Sequence, residues 1–233
     1  VIEDALEDHR FKDNPLVTAN PNIRFYAGYP LKINNGSALG TLCIIDDEPR
    51  EFDPEDLQLL RDLGVMAEQE IAALQLATLD DLTLISNRRG FTALAKHSLN
   101  VCRRKGLSAS ILLFDLNKFK PINDQFGHAE GDRALIVFAN FLRKVFRESD
   151  VFGRLGGDEF AVLMMDVDAE NTQRVIQRFD NEVTNYNQEA ARGYDIEYSV
   201  GFVNSLVEKD IDVNVFLAAA DKKMYAEKGN KVR

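Results

Sequence analysis

Two short apolar runs, Val151–Leu155 and Phe160–Met165, are separated by little more than Gly156-Gly157-Asp158-Glu159. Strand-like segments so closely spaced can only fold back on each other, as an antiparallel hairpin with a tight tip. Glycine supplies the backbone angles such a tip needs and lets a ligand approach the main chain. The two acids then sit at an exposed end, where carboxylates can hold a hard cation. Alone, a Gly-Gly-Asp turn serves a purely structural hairpin equally well. Asp115 shifts the balance, because it ends another apolar run, Ile111-Leu112-Leu113-Phe114. Acids at the ends of neighbouring strands are what a Mg²⁺–nucleotide site requires.

The 233 residues suffice for one or two domains, and 45% hydrophobic with 28% charged residues is a globular balance. A net charge of −10 argues against a nucleic-acid polymer or an anionic membrane as partner. It does not forbid a nucleotide, since bound metal and a few local cations reverse the field. Cys43 and Cys102 fall far apart in apolar or helical patterns and read as free thiols of a reducing compartment. No apolar run approaches the ~20 residues of a membrane span, and no signal-peptide pattern is present. The expectation is a soluble, cytoplasmic chain. Its abrupt start at Val1 leaves open a longer parent with an upstream sensor or membrane segment.

Residues 1–53 carry short strand signals: Ile23–Leu31, a turn at Asn34-Asn35-Gly36, and Ala38–Ile45. Asp53-Pro54-Glu55-Asp56 is a helix start, with a capping Asp, Pro at the first helical position and acids in the first turn. The helix runs to about Thr78, and Leu57, Leu60, Gly64, Ala67, Ile71, Leu74 and Thr78 recur in steps of three and four. Periodicity alone allows an amphipathic helix packed on its own domain or a two-chain coiled coil. From Leu79 the pattern predicts a helix over Arg89–Arg104, a strand over Ser110–Asp115 and a helix around Asp132–Phe146. After the hairpin come a helix over Ala169–Gln188, a strand alternating at Ile196, Tyr198, Val200 and Phe202, and a helix over Val213–Lys228. This order implies an α+β fold, a ferredoxin-like antiparallel sheet with helices packed on one face. The expected organisation is therefore 1–53, a linking helix 54–78, and a catalytic-type domain 79–233.

A second polar cluster follows Asp115, through Lys118, Lys120, Asn123, Asp124 and His128 to Gly131-Asp132. The amide of Asn123 and the carboxylate of Asp132 suit the edge of a purine. The plainer alternative is a loop of Asx-turns with Asp132 as a helix cap.

Taken in order, Asp115…Phe119-Lys120-x-Ile122-Asn123-Asp124-x-x-Gly127-His128-x-x-Gly131-Asp132…Arg154-x-Gly156-Gly157-Asp158-Glu159-Phe160 resembles the GGDEF family of diguanylate cyclases. Asp81-Leu82-Thr83…Asn87-Arg88-Arg89 and Ala220-Asp221…Met224-Tyr225…Lys228 resemble its leading and closing motifs, so the likeness covers about residues 79–230. It implies a nucleotidyl-cyclase-type sheet with surrounding helices, and condensation of two GTP into cyclic di-GMP across a homodimer. By matching position, Asp115, the Leu116 carbonyl, Asp158 and Glu159 would hold two Mg²⁺ (or Mn²⁺) ions. Asp158 or Glu159 would take the hydroxyl proton, with Lys120 beside the reacting phosphates. Gly156 and Gly157 would leave room for phosphate, Asn123 and Asp132 would read guanine, His128 would line the pocket, and Lys228 would meet phosphate charge. Arg147-x-x-Asp150 matches the family's inhibitory product site, to which Arg178 would contribute.

The chain departs from the family pattern at Asn117, where many members carry a second Asp, and at Leu84-Ile85-Ser86, which replaces Gly-Leu-Pro. Gly229-Asn230-Lys231 also lacks the usual Gly-Arg-Asn order. Asn14–Val17, Ile23–Leu31 and Gly40–Asp46 resemble the C-terminal half of a GAF sensor domain, which favours a dimerising signal helix over 54–78. Two other functions fit the same residues: a silent receptor that senses cyclic di-GMP through Arg147 and Asp150, and a nucleotidyl cyclase that also accepts ATP.

Overall fold

The structure, a computed structural model, describes residues 1–32, 36–207 and 212–231, with backbone alone for 227–231. The expected turn at Asn34-Asn35 and the Lys228 side chain lie outside the described residues. The chain divides into two compact units, Val1–Gln75 and Leu76–Arg233.

The first unit holds α1 (Pro15–Thr18), the antiparallel pair β1 (Phe25–Lys32) and β2 (Ala38–Asp46), and most of α2 (Pro54–Thr78). The start of α2 is as expected: the Asp53 carboxylate accepts the Asp56 N–H at 2.8 Å, and Glu55 and Asp56 complement the helix dipole. A small core gathers Phe25, Ala27 and Leu60, with Tyr29, Leu42 and Phe52 against it. Gly64 lets the Tyr29 ring lie on the helix, for a Cβ there would sit 2.1 Å from the ring. Leu60 and Gly64 of the expected seam are thus spent on the unit's own sheet, while Leu63, Met66 and Leu74 remain exposed.

The second unit contains α3 (Arg88–Lys105), β3 (Ser108–Asn117), α4 (Phe119–Phe126), α5 (His128–Val145), β4 (Val151–Gly156), β5 (Glu159–Met165), α6 (Ala169–Ala190), β6 (Glu197–Leu206) and α7 (Val213–Lys231). Four antiparallel strands lie in the order β4-β5-β3-β6. Because β3 is apolar on both faces, both must be covered. Leu112, Phe114 and Leu116 enter a core with Leu135, Phe138 and Phe179 of α5 and α6. Ala109, Ile111 and Leu113 enter another with Phe91 and Leu99 of α3 and Phe216 of α7. The expectation of helices on one face is therefore corrected: a strand reading Ile-Leu-Leu-Phe without alternation is apolar on both sides.

Phe114, Phe138, Phe179 and Tyr198 pack mostly edge-on or tilted, with centroids 5.1–5.8 Å apart, the geometry ring quadrupoles favour. A buried hydroxyl pair, Ser110 and Thr172 at 2.7 Å, is extended by Asn204 Nδ2 donating to Ser110 Oγ at 2.8 Å, which ties the start of α6 to the sheet. On the other face α7 crosses Gly201 at backbone distance: a Cβ there would lie 2.3 Å from the Ala220 carbonyl and the Met224 nitrogen.

Two local readings change. Residues 119–126, expected as loop, form α4, and α5 begins at His128, so Asp132 lies within the helix and caps nothing.

Candidate active site

The strand register brings the acids together. Asp115 on β3 is directly opposite Glu159, the first residue of β5, and on its other side faces Ser199 of β6. Directly opposed side chains share a sheet face with Cβ atoms about 5 Å apart, and like charges so placed repel unless a cation lies between them. The ladder reaches past β5 into the turn, where the Leu116 N–H donates to the Asp158 carbonyl at 3.1 Å. Leu116 is anchored by its buried side chain, so the main chain beside Asp115 is held in place. Asp115, Leu116 and Asp158 line one cleft of about 940 Å³, together with Asn117, Lys118 and Lys120.

The tip needs its glycines for conformation. Gly156 has φ 143° and Gly157 φ 51°, and a Cβ on either would meet nothing within 4 Å. The space over the tip is therefore open. Glu159 has a cationic neighbour, with Arg88 Nη2 3.5 Å from its carboxylate while Arg88 Nε donates to the Leu155 carbonyl at 2.9 Å. The turn is clamped from beneath by Arg154, whose Nε and Nη2 donate to the Gly157 carbonyl at 2.9 and 2.8 Å. Its remaining nitrogen, Nη1, pairs with Asp80 at 3.2 Å. Asp80 also accepts from the Thr83 N–H and hydroxyl, at 2.9 and 2.6 Å. Burial pushes the Asp80 carboxyl up, but these hydrogen bonds and the guanidinium outweigh it and hold it below the ordinary range. Asp80, one residue before the quoted leading motif, is thus the acid that anchors Arg154. Arg88 and Arg154 stood in quoted motifs, yet the contacts of Arg88 and the Arg154–Asp80 pair join residues about seventy positions apart, and no local spacing reveals them.

The residues expected to read a base form a separate group. Asn123, His128 and Asp132 do not line the cleft; they lie on α4 and α5, on either side of Gly127 at φ 87°. The Asn123 carboxamide lies against Gly131, whose Cβ position would be 2.0 Å from its Oδ1. This contact sets Asn123 beside the residue that precedes Asp132. Asn117 is held by the Ser199 hydroxyl at 2.9 Å. Lys118 adopts φ 56° and pairs with Glu197 at 3.0 Å, leaving Lys120 as the exposed cation at the start of α4.

Arg147, Asp150 and Arg178 meet in a second pocket, of about 280 Å³, with Asp166 and Arg174 also on its wall. Asp150 Oδ2 accepts the Arg147 N–H at 2.9 Å, and Arg178 donates to the Val145 carbonyl. Burial raises the Asp150 carboxyl above its usual range, against the pull of that hydrogen bond and of the Arg147 and Arg178 charges.

Among the described residues no three His, Cys, Asp or Glu converge into a cluster that would hold a metal unaided. The donor set at the tip is two or three carboxylates and a main-chain carbonyl. That fits Mg²⁺, which keeps water and substrate phosphate in its shell, and does not fit an all-protein cage. No helix among the described residues is long and apolar enough to cross a membrane.

Comparison with known proteins points the same way. Residues 77–233 match the family described as "Diguanylate cyclase, GGDEF domain", and residues 1–71 match the GAF domain. The diguanylate cyclase DgcP of Escherichia coli (strain K12) is 29% identical over 241 residues, covering 93% of this chain and 67% of DgcP. The probable diguanylate cyclase DgcC of the same organism is 39% identical over 106 residues, covering 46% of this chain and 29% of DgcC. The chain thus spans under a third of DgcC and about two thirds of DgcP. The crystallised GGDEF domain of DgcB from Caulobacter crescentus, in complex with c-di-GMP, superposes with TM-score 0.60 at 25% identity, covering 66% of this chain and 91% of that one. By its motifs, its α+β fold and this match over residues 77–233, the chain belongs to the GGDEF diguanylate cyclase family, behind a GAF segment.

Proposed function

We propose that the protein condenses two GTP molecules into cyclic di-GMP, releasing two pyrophosphates, with two copies of the chain presenting their nucleotides to each other. The observation that carries this reading is the cross-strand pair Asp115–Glu159, with Asp158 on the adjoining turn. Three acids gathered at one sheet end suit a site that cations and phosphates complete.

In each half-reaction the 3′-oxygen of one GTP bonds to the α-phosphorus of the other. The α–β phosphoanhydride bond breaks, pyrophosphate leaves with that electron pair, and the hydroxyl proton passes to a carboxylate. Asp158 or Glu159 accepts the proton. Asp115, Asp158, Glu159 and the Leu116 carbonyl would hold two Mg²⁺ (or Mn²⁺), which would supply neutralisation of phosphate charge and a lowered hydroxyl pKa. Such phosphoryl transfer depends chiefly on positioning and charge. Arg154 and Arg88 fix the hairpin, and the open space above Gly156 and Gly157 admits the triphosphate. Lys120 and Lys228 meet phosphate charge, while Asn123 and Asp132 hydrogen-bond the guanine edge and His128 lines its pocket. Arg147, Asp150 and Arg178 form the product-inhibition site, where arginine forks to and stacks on guanine and a carboxylate accepts its N–H groups.

The test is incubation with Mg²⁺ and GTP, ATP or both, with products identified by mass. Cyclic di-GMP from GTP alone is expected. Mixed or adenine products would replace this reading with a promiscuous cyclase, and product binding without synthesis would replace it with a receptor.

A further inference from the structure

A six-residue loop between α6 and β6 reaches over to the helix pair that carries Asn123 and Asp132. Its backbone is fixed at one end by Asn187, whose side chain donates to the Ile196 carbonyl at 3.0 Å and accepts the Ile196 N–H at 2.9 Å. From that anchor Arg192 makes a bidentate pair with Glu130 in the first turn of α5, with Nε and Nη2 each 2.9 Å from a carboxylate oxygen. The Tyr194 hydroxyl donates to the same carboxylate at 3.0 Å, and its ring packs on Phe126 in the last turn of α4, centroids 5.0 Å apart. Gly193, at φ 83°, brings the loop backbone against that ring. One loop therefore grips both helices at the turn that joins them.

The consequence follows from helix geometry. Glu130, Gly131 and Asp132 are consecutive, and residues one or two apart on a helix point in different directions. Glu130 faces the loop, Gly131 lies under Asn123, and Asp132 stays exposed. Rotation or fraying of this first turn would move Asp132 relative to Asn123, and a planar fork binding a carboxylate at two points resists rotation as a single contact does not. We infer that Arg192, with Tyr194, is a positioning clamp for purine selection: by holding Glu130 it sets the angle at which Asp132 and Asn123 meet the base. Arg192 holds the Glu130 carboxyl down at about 2, so the pair stays ionised at any physiological pH. The inference rests on the assignment of Asn123 and Asp132 to guanine made above. Arg192 acts by positioning: its side-chain hydrogen bonds go to Glu130, not to Asp115, Asp158 or Glu159.

The experiment compares GTP with ITP, which lacks the exocyclic amine a carboxylate accepts from. Binding of each is measured by calorimetry with Mg²⁺ in the full chain carrying Glu159→Gln, so that turnover does not interfere. Arg192→Ala should weaken GTP by about tenfold, the scale of one misaligned charge-assisted hydrogen bond, and leave ITP much less affected. Arg192→Lys should recover part of the preference. With Glu159 intact, Arg192→Ala should raise KM for GTP while kcat changes about twofold or less. An unchanged GTP-to-ITP ratio, or equal losses for both with a fall in kcat, would overturn the clamp. If the parent chain makes no cyclic di-GMP yet its ratio narrows on Arg192→Ala, the clamp stands and the cyclase reading falls. If the parent shows no preference for GTP, the clamp falls with the base assignment.

Discussion

Strand β5 has a pocket at each end, and the two are opposites. At its start, Glu159 faces Asp115 beside Asp158, an acidic strand end edged by Lys118 and Lys120. At its end, Met164 and Met165 border a pocket whose cations are built in as Arg147, Arg174 and Arg178 around the half-buried Asp150, with Asp166 on its wall. Seven residues at about 3.3 Å each separate them by roughly 20 Å. The same sheet thus carries two contrasting charge settings, one set by carboxylates at a strand end and one by a group of guanidinium side chains.

The harshest way to break the contrast is at the acidic end. Asp158→Ala or Glu159→Ala should abolish cyclic di-GMP synthesis, by at least about a thousandfold, while circular dichroism shows the fold intact. Full activity in either would remove the assigned chemistry. At the basic end, Arg147→Ala should weaken product inhibition by about thirtyfold, since truncating one partner of a charged hydrogen-bonded contact costs 2 kcal/mol or more. Inhibition curves would show it, and unchanged inhibition with product still bound would place the product elsewhere.

Support of the acidic tip can be tested apart from its chemistry. Arg154 and Asp80 are 15% and 22% exposed in their side chains, so Arg154→Ala deprives a partly buried carboxylate of its cation and the Gly157 carbonyl of two donors, at about 2 kcal/mol. Chemical denaturation measures the loss, and a double mutant with Asp80→Ala should fall short of additivity.

The basic pocket should show the reverse balance of stability and function. Burial raises Asp150, so its folded value exceeds the unfolded one, near 3.8. The cost of ionising it in place is absent below the unfolded value, grows as pH rises, and is complete above the folded value. Asp150→Asn should therefore melt higher than the parent at pH 7, with the advantage fading towards pH 3, while losing product affinity. The smallest effect lies in the leading turn. Leu84 sits at φ 55° and is 67% exposed, in the place of a glycine in the family pattern. Leu84→Gly should gain about 0.5 kcal/mol, the left-handed strain relieved less the added freedom of the unfolded chain.

How much of this was readable in advance depended on range. The Pro54–Thr78 helix, the hairpin and the closing helix follow from caps, glycines and periodicity, all local. The acidic pair needed only strand ends and a register. Helix α4 was hidden because Lys-Pro-Ile-Asn-Asp has weak helical propensity, and the following helix packs Gly131 against it to hold it in place. The second helical face of the sheet was hidden because an unbroken apolar run does not say what covers it. Asp80, Arg88 and Arg192 were hidden for one shared reason: each acts on a residue 62 to 74 positions distant.

The bare backbone of Gly201 beneath α7 carries one more consequence. Where other helices rest on the sheet through a cushion of side chains, this one is seated in a socket with no room for even a methyl group. A socket fixes travel along the helix as well as height above the strand. The terminal turn that bears Lys228 is therefore indexed to β6, and any side chain introduced at position 201 would jack the last helix outward along its length.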